Sequence, residues 1–145
     1  MRTVLKYPGS KWNIASKLVE LIPEHHSYVE PFFGSGAVLF NKPVSDIETI
    51  NDLDHDVVNL FRCIQEDADR LSRMVMTTPF SREKYEDTYK LDVWEIMMPD
   101  EPYHKALRFL LLKNAELTGT SRTKVLEKIR FAEVQRWLTF IRVMM

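Results

Sequence analysis

Four glycines in 145 residues leave few places where this backbone can turn at positive φ, and two of them, Gly34 and Gly36, are separated only by Ser35. They lie inside YVEPFFGSGAVLFNK (28–42). Tyr28-Val29 is short and β-favouring, and Ala37-Val38-Leu39-Phe40 suits a helix, so the stretch reads as strand, glycine turn, helix. In that geometry backbone N–H groups converge on a ligand. The same triplet also serves any tight strand-to-helix turn. A phosphate loop would need GxxxxGK[ST], which is absent, and a dinucleotide fingerprint would need a third glycine near Leu39. What remains is a nucleoside without a phosphate, held by the loop and by an acid on its ribose hydroxyls. Asp52, 22 residues past Glu30 at the end of the next expected strand, stands where that acid belongs.

The rest of the chain places this turn in context. Ser10 is expected to cap a helix over 11–22, with Ile14, Leu18, Leu21 and Ile22 at helical spacing and Pro23 as the stop. Strands are expected at 27–30 and 48–52 with a helix of about two turns between them, a βαβ unit with parallel strands. Asp54 is placed to cap a helix whose apolar side is Val57, Val58, Phe61 and Ile64. A further helix is expected to start at Ser81, another to be buried within 101–119, and the tail from Lys124 to Met145 to be helical. All the expected sheet lies in the first third.

Composition bounds the class. An apolar fraction of 45% with 28% charged residues fits a single globular domain. A single cysteine, Cys63, allows no internal disulfide, and no apolar run approaches a membrane span, so a cytoplasmic protein without a signal peptide is expected. Basic residues without acids mark the first 17 positions, acids crowd 46–69, and Arg122, Lys124, Lys128, Arg130, Arg136 and Arg142 dominate the end. That pattern fits a phosphate-facing surface beside a cation-tolerant pocket, and equally fits ordinary solvated faces.

LKYPGSK (5–11), YVEPFFGSGAVLFNK (28–42), ETINDLDHDVVNLFR (48–62), TPFSREKY (78–85) and, more loosely, ALRFLLLKNAELTG (106–119) together resemble the Dam-like, D12-class adenine-specific DNA N6-methyltransferases, close to their phage and prophage members. The resemblance implies an α/β fold: a partial Rossmann-like S-adenosylmethionine-dependent methyltransferase sheet with a largely helical target-recognition region. It implies a cofactor-binding core over 1–59 and a recognition region over 60–145, packed as one unit. S-adenosylmethionine would be held by Tyr7, Lys11, Glu30, Phe32, Gly34, Gly36 and Asp52, with no metal. A sulfonium carrying an ammonium tolerates nearby carboxylates, and Phe32 or Phe33 can cover the adenosyl group. Lys11 also reads as a solvent-exposed lysine after a turn, and Phe33 as core. Double-stranded DNA is the implied partner, with Ser121, Arg122, Thr123 and Lys124 as contacts. An arginine beside a serine there also reads as an ordinary polar loop.

The family's Asp-Pro-Pro-Tyr, which holds the flipped adenine, has no counterpart in these residues; MPDEPY (98–103) inserts Glu101 and follows no β-run. Three readings follow from the resemblance: an amino-terminal part inactive alone, a split enzyme completed by another polypeptide, or a non-catalytic DNA- or protein-binding module. A sheet lacking its next strand is expected to form a homodimer, to bind a complementary chain, or to be covered by the apolar tail WLTFIRVMM.

Overall fold

The computed structural model describes residues 5, 9–78, 101–115, 126–127, 129 and 141–143. Helix α1 (Ala15–Glu20) precedes strand β1 (Ser27–Glu30), and a single 3-10 turn (Leu39–Asn41) leads to strand β2 (Ile47–Ile50). Helices α2 (His55–Thr77) and α3 (Pro102–Ala115) and strand β3 (Ile141–Val143) follow. The sheet is parallel, in the order β1-β2-β3. Tyr28 sits opposite Glu48 and Glu30 opposite Ile50, while Glu48 and Ile50 face Ile141 and Val143 on the other side. The two parallel strands expected in the first third are therefore present, but their crossover is a turn and one 3-10 segment in place of the expected two-turn helix.

Two other expectations change. Ser10 does not cap α1: its hydroxyl meets Ser35 Oγ at 2.7 Å, and the helix starts five residues later from Ile14, with no side-chain cap. The tail does not stay helical. Its apolar residues Ile141 and Val143 extend as a strand, and that strand pairs with β2 and leaves the outer edge of β1 unpaired among the described residues. The helix expected from Ser81 lies outside the described residues.

Strand period 2 puts Tyr28, Glu30, Glu48 and Ile50 on one sheet face. Glu48 and Ile50 are buried there, and Glu48 is neutralised by Lys42, whose Nζ lies 2.6 Å from Glu48 Oε1. Lys42 also donates to Ser45 Oγ (2.6 Å) and to the Pro43 carbonyl (2.9 Å), so all three ammonium protons have acceptors. Both side chains are only 1% exposed.

Helix α2 begins where expected, with the Asp54 carboxylate accepting the Asp56 N–H at 3.1 Å. Asp67 adopts an extended backbone within it (φ −158°, ψ 84°), and its Oδ1 accepts the Arg70 N–H at 2.8 Å. The kink is thus a second, internal helix cap. Helix α3 packs on α2, pinned at one end by Asn59 Nδ2 donating to the Pro102 carbonyl (2.7 Å). Arg70 pairs with Glu101 at 2.7 Å and lies 4.2 Å over the Tyr103 ring. One hydrophobic cluster joins Phe33, Phe40 and Ile50 to Phe61, Leu71, Leu107, Leu110 and Ile129. Phe61 is its hub, edge-on to Phe33 at 4.8 Å and 6.0 Å from Phe40. Among the described residues no helix is long and apolar enough to cross a membrane.

The buried ion pair makes a testable contribution. Lys42→Met strands the Glu48 carboxylate in the core and should lower unfolding free energy by about 3–5 kcal/mol in urea titrations. Combining it with Glu48→Leu removes both charges and should recover much of that loss. A double variant as unstable as the single one would show that the pair is not what holds this face.

Candidate functional site

Past the ends of β1 and β2 the pairing continues for one more step on each side. Asn51 N–H donates to the Glu30 carbonyl and Phe33 N–H to the Asn51 carbonyl, both at 3.0 Å. Gly34 then turns at φ +52°, and its N–H donates to Asp52 Oδ2 at 2.7 Å. Asp52 Oδ1 accepts the Asp54 N–H at 2.9 Å. One carboxylate therefore clamps the turn after β1 to the turn after β2. Each of its oxygens keeps a second lone pair for another donor.

A cavity of about 240 Å³ lies over this clamp. Ser10 and Lys11 form one side, Phe32, Gly34 and Ser35 another, and Asp52 and Leu53 a third. Phe32 and Leu53 are 70% and 80% exposed, large apolar side chains held in water at the cavity's rim. The Ser10–Ser35 hydrogen bond ties the amino-terminal segment to the glycine loop.

The expected site residues divide accordingly. Lys11, Phe32, Gly34 and Asp52 line one cavity. Gly36 does not: a Cβ there would lie 2.5 Å from Phe33 Cζ and 2.6 Å from Phe40 Cε2, so this glycine, at φ +68°, lets two core rings close over it. Phe33 is buried against Phe61, which leaves Phe32 as the ring available to a ligand. Glu30 is buried at the carboxyl end of β1 and is not on the cavity wall. Burial pushes its carboxyl up to about 7, against the Tyr28 hydroxyl, the Leu39 N–H and the charges of Lys11 and Lys42, which pull it down. Tyr7 and the residues 121–124 lie outside the described residues. Leu53, Ser10 and Ser35 were missed in the sequence; the signal available for Leu53 was its place directly after the acid.

A wider cleft of about 750 Å³ is lined by Val19, His25, His26, Val44 and Asp46, with Lys42 in its wall. Lys42 is saturated by its buried acceptors, so it offers that cleft no free charge. Cys63 is buried, and burial raises its thiol to about 12, which makes it a poor nucleophile. Among the described residues no three His, Cys, Asp or Glu side chains gather as a metal site.

The profile of the D12 class N6 adenine-specific DNA methyltransferases matches residues 7–138. The chain belongs to that family. It is 28% identical over 121 residues to a DNA adenine methylase of Serratia marcescens, covering 83% of this chain and 44% of that protein. It is 23% identical over 121 residues to the DNA adenine methylase of Escherichia coli K12, covering 83% and 43%. A DNA N-6-adenine-methyltransferase of Escherichia phage P1 is 30% identical over 70 residues, or 48% of this chain and 9% of that protein. The chain thus spans less than half the length of the bacterial adenine methylases it matches.

The two kinds of glycine can be told apart by substitution. Gly9 has φ +76°, and a Cβ there would meet nothing within 4 Å, so Gly9→Ala encounters only backbone strain and should cost about 1–2 kcal/mol. Gly36→Ala adds the clash with two buried rings and should cost a further ~1–3 kcal/mol. Equal losses in urea unfolding would show that the core opens freely at Gly36.

Proposed function

We propose that residues 1–145 form the cofactor-binding part of a DNA adenine N6-methyltransferase and bind S-adenosylmethionine in the cavity between Lys11, the glycine loop and Asp52. The observation that carries this reading is the Asp52 clamp: its free lone pairs suit two neighbouring ribose hydroxyls, beside a loop whose glycine lets a ligand approach the backbone. Phe32 and Leu53 supply apolar cover for an adenine ring, and Lys11 a cation for a carboxylate. Glu30, off the cavity wall but close enough to feel the charge of Lys11 on it, would supply a carboxylate for an ammonium once a ligand opens that side, with Tyr7 as a further contact and Gly36 shaping the loop from beneath. When bound, S-adenosylmethionine supplies a sulfonium-activated methyl group; this part of the chain would hold and orient it and exclude water around it.

The substrate would be adenine in double-stranded DNA, with Ser121, Arg122, Thr123 and Lys124 as contacts. These residues contain no Asp-Pro-Pro-Tyr to hold a flipped base, so a polypeptide of residues 1–145 should bind cofactor without transferring its methyl group. The edge of β1 that is unpaired among the described residues would accept a further strand from a complementary chain or a second copy.

Calorimetry with S-adenosylmethionine tests the site. A cavity of about 240 Å³ is below the ~300–1,000 Å³ usual for ligand pockets, so affinity should be modest, about −6 kcal/mol or tens of micromolar. Asp52→Ala should weaken it at least about tenfold, a loss of ~1.4 kcal/mol. No heat at millimolar ligand, for the unsubstituted chain, would refute the assignment. So would an Asp52→Ala variant that binds equally well.

The buried Glu30 gives the pH dependence its sign. Its folded carboxyl titrates near 7, above its unfolded value of 4.5, so its contribution to stability is present below pH 4.5 and is lost as pH rises through 7. A cationic ligand favours the ionised form. The thermal shift on adding cofactor should therefore be larger at pH 8 than at pH 6. The opposite order would remove Glu30 from the cofactor's ammonium.

A further inference from the structure

A run of polar groups leads from the centre of the sheet to Glu30, whose carboxylate feels the charge of Lys11 on the cavity wall. It begins at Glu48, fully buried on β2, whose Oε1 holds Lys42 Nζ at 2.6 Å. Lys42 is fixed by its three acceptors, and its ammonium lies 4.4 Å from the centroid of the Tyr28 ring. The Tyr28 hydroxyl in turn donates to Glu30 Oε2 at 3.3 Å. Tyr28 and Glu30 are two residues apart on β1 and so share its inner face.

A tyrosine used only for packing needs none of this order. Here the ring lies beside a buried cation each of whose protons is already given to an oxygen. The His25 ring flanks Tyr28 at 5.8 Å. Between these two contacts the ring places its hydroxyl against one carboxylate oxygen, Glu30 Oε2. Burial first, and then the carboxylates of Glu30 and Glu48, push the phenol's ionisation upward, so Tyr28 keeps its proton and stays a donor around neutral pH.

We propose that Tyr28 is a positioning residue for the cofactor site: held by Lys42, it orients the Glu30 carboxylate toward the ammonium of S-adenosylmethionine. This rests on the cofactor reading given above and deepens it. At 3.3 Å the hydrogen bond is longer than the usual ~2.7–2.8 Å between oxygens, and such contacts tighten when a ligand completes the site. The groups acting on Glu30 come from every side: Tyr28 on its own strand, the Leu39 N–H from the 3-10 turn, Lys42 after it, and Lys11 from the amino-terminal segment. Tyr28 hydrogen-bonds Glu30 and also meets Lys42 of the buried Lys42–Glu48 pair.

The test compares the unsubstituted chain with Tyr28→Phe and Tyr28→Leu. The Glu30 side-chain carboxyl is followed by ¹³C NMR across pH 5–9, and S-adenosylmethionine affinity by calorimetry over the same range. Tyr28→Phe keeps the ring over Lys42 and should preserve the urea midpoint at pH 5, where Glu30 is protonated in both folded proteins. It should nevertheless raise the Glu30 titration midpoint, since a donor to the ionised form is lost. Cofactor affinity should fall about fivefold at pH 7, and part of that loss should persist at pH 9, where Glu30 is ionised in both proteins but no longer oriented in the variant. Tyr28→Leu should lose stability as well, which separates the ring's packing from the hydroxyl's work. Unchanged Glu30 midpoints and the same pH profile in Tyr28→Phe, with cofactor binding intact, would overturn the positioning role alone. Absence of cofactor binding by the unsubstituted chain would overturn the cofactor reading and this role with it.

Discussion

The Asp52 carboxylate is the constraint on which the site depends. It accepts one N–H from the turn after β1 and one from the turn after β2, at 2.7 and 2.9 Å. Hydrogen bonds to a charged acceptor are each worth about 1.5–3 kcal/mol, and both satisfy backbone groups that would otherwise stand unpaired beside a cavity. Asp54, whose N–H is one of the two, is also the cap of α2. The direction of α2 and the shape of the glycine loop are therefore set from one side chain. An acid at the end of β2 acts first as a structural clamp, and its remaining lone pairs are available to a ligand only because the clamp has already fixed where they point.

This part of the molecule was legible in the sequence because it is local. The β-favouring Tyr28-Val29, the paired glycines, Asp52 at the end of the next strand and Asp54 as a helix cap each carry a short-range signal, and the structure has β1, β2 and the start of α2 at those places. What was not legible depends on contacts distant in sequence. Ala37–Phe40 reads as a helix by propensity, but Phe33 and Phe40 must close over Gly36, and Pro43 soon follows, so only one 3-10 turn forms. Ser10 reads as a cap but is taken by Ser35, 25 residues away. The apolar end of the chain has no period that separates helix from strand; pairing of Ile141–Val143 with β2 decides it.

The buried polar cluster was invisible for a different reason. A lysine and a glutamate six residues apart in a βαβ crossover look like surface charges, and only the strand register reveals that Glu48 points into the core beside Tyr28. Such a pair is weak evidence for stability, because the cost of removing two charges from water offsets much of their attraction. Its geometry makes better sense as a device for orientation. Three acceptors take the protons of Lys42, and its ammonium lies 4.4 Å from the centroid of the Tyr28 ring.

The order β1-β2-β3 places the last described strand beside β2 and leaves β1, the strand that carries the glycine loop, with an unpaired outer edge among the described residues. Parallel strands are ordinarily buried on both faces and paired on both sides, yet Val29 on β1 is 58% exposed. The loop nonetheless has support of its own, because the packing beneath it does not pass through that edge. Phe33, directly before the turn, packs edge-on against Phe61 of α2, and Phe40, soon after it, contacts the same ring. Gly36 is the point where the two rings converge, and α2 carries that contact into the cluster shared with α3. The glycine loop is thus braced from the helical region rather than from the outer edge of its own sheet. A loop braced in this way can keep its turn conformation without needing an outer neighbour for β1, and the helical region becomes part of what shapes the candidate site.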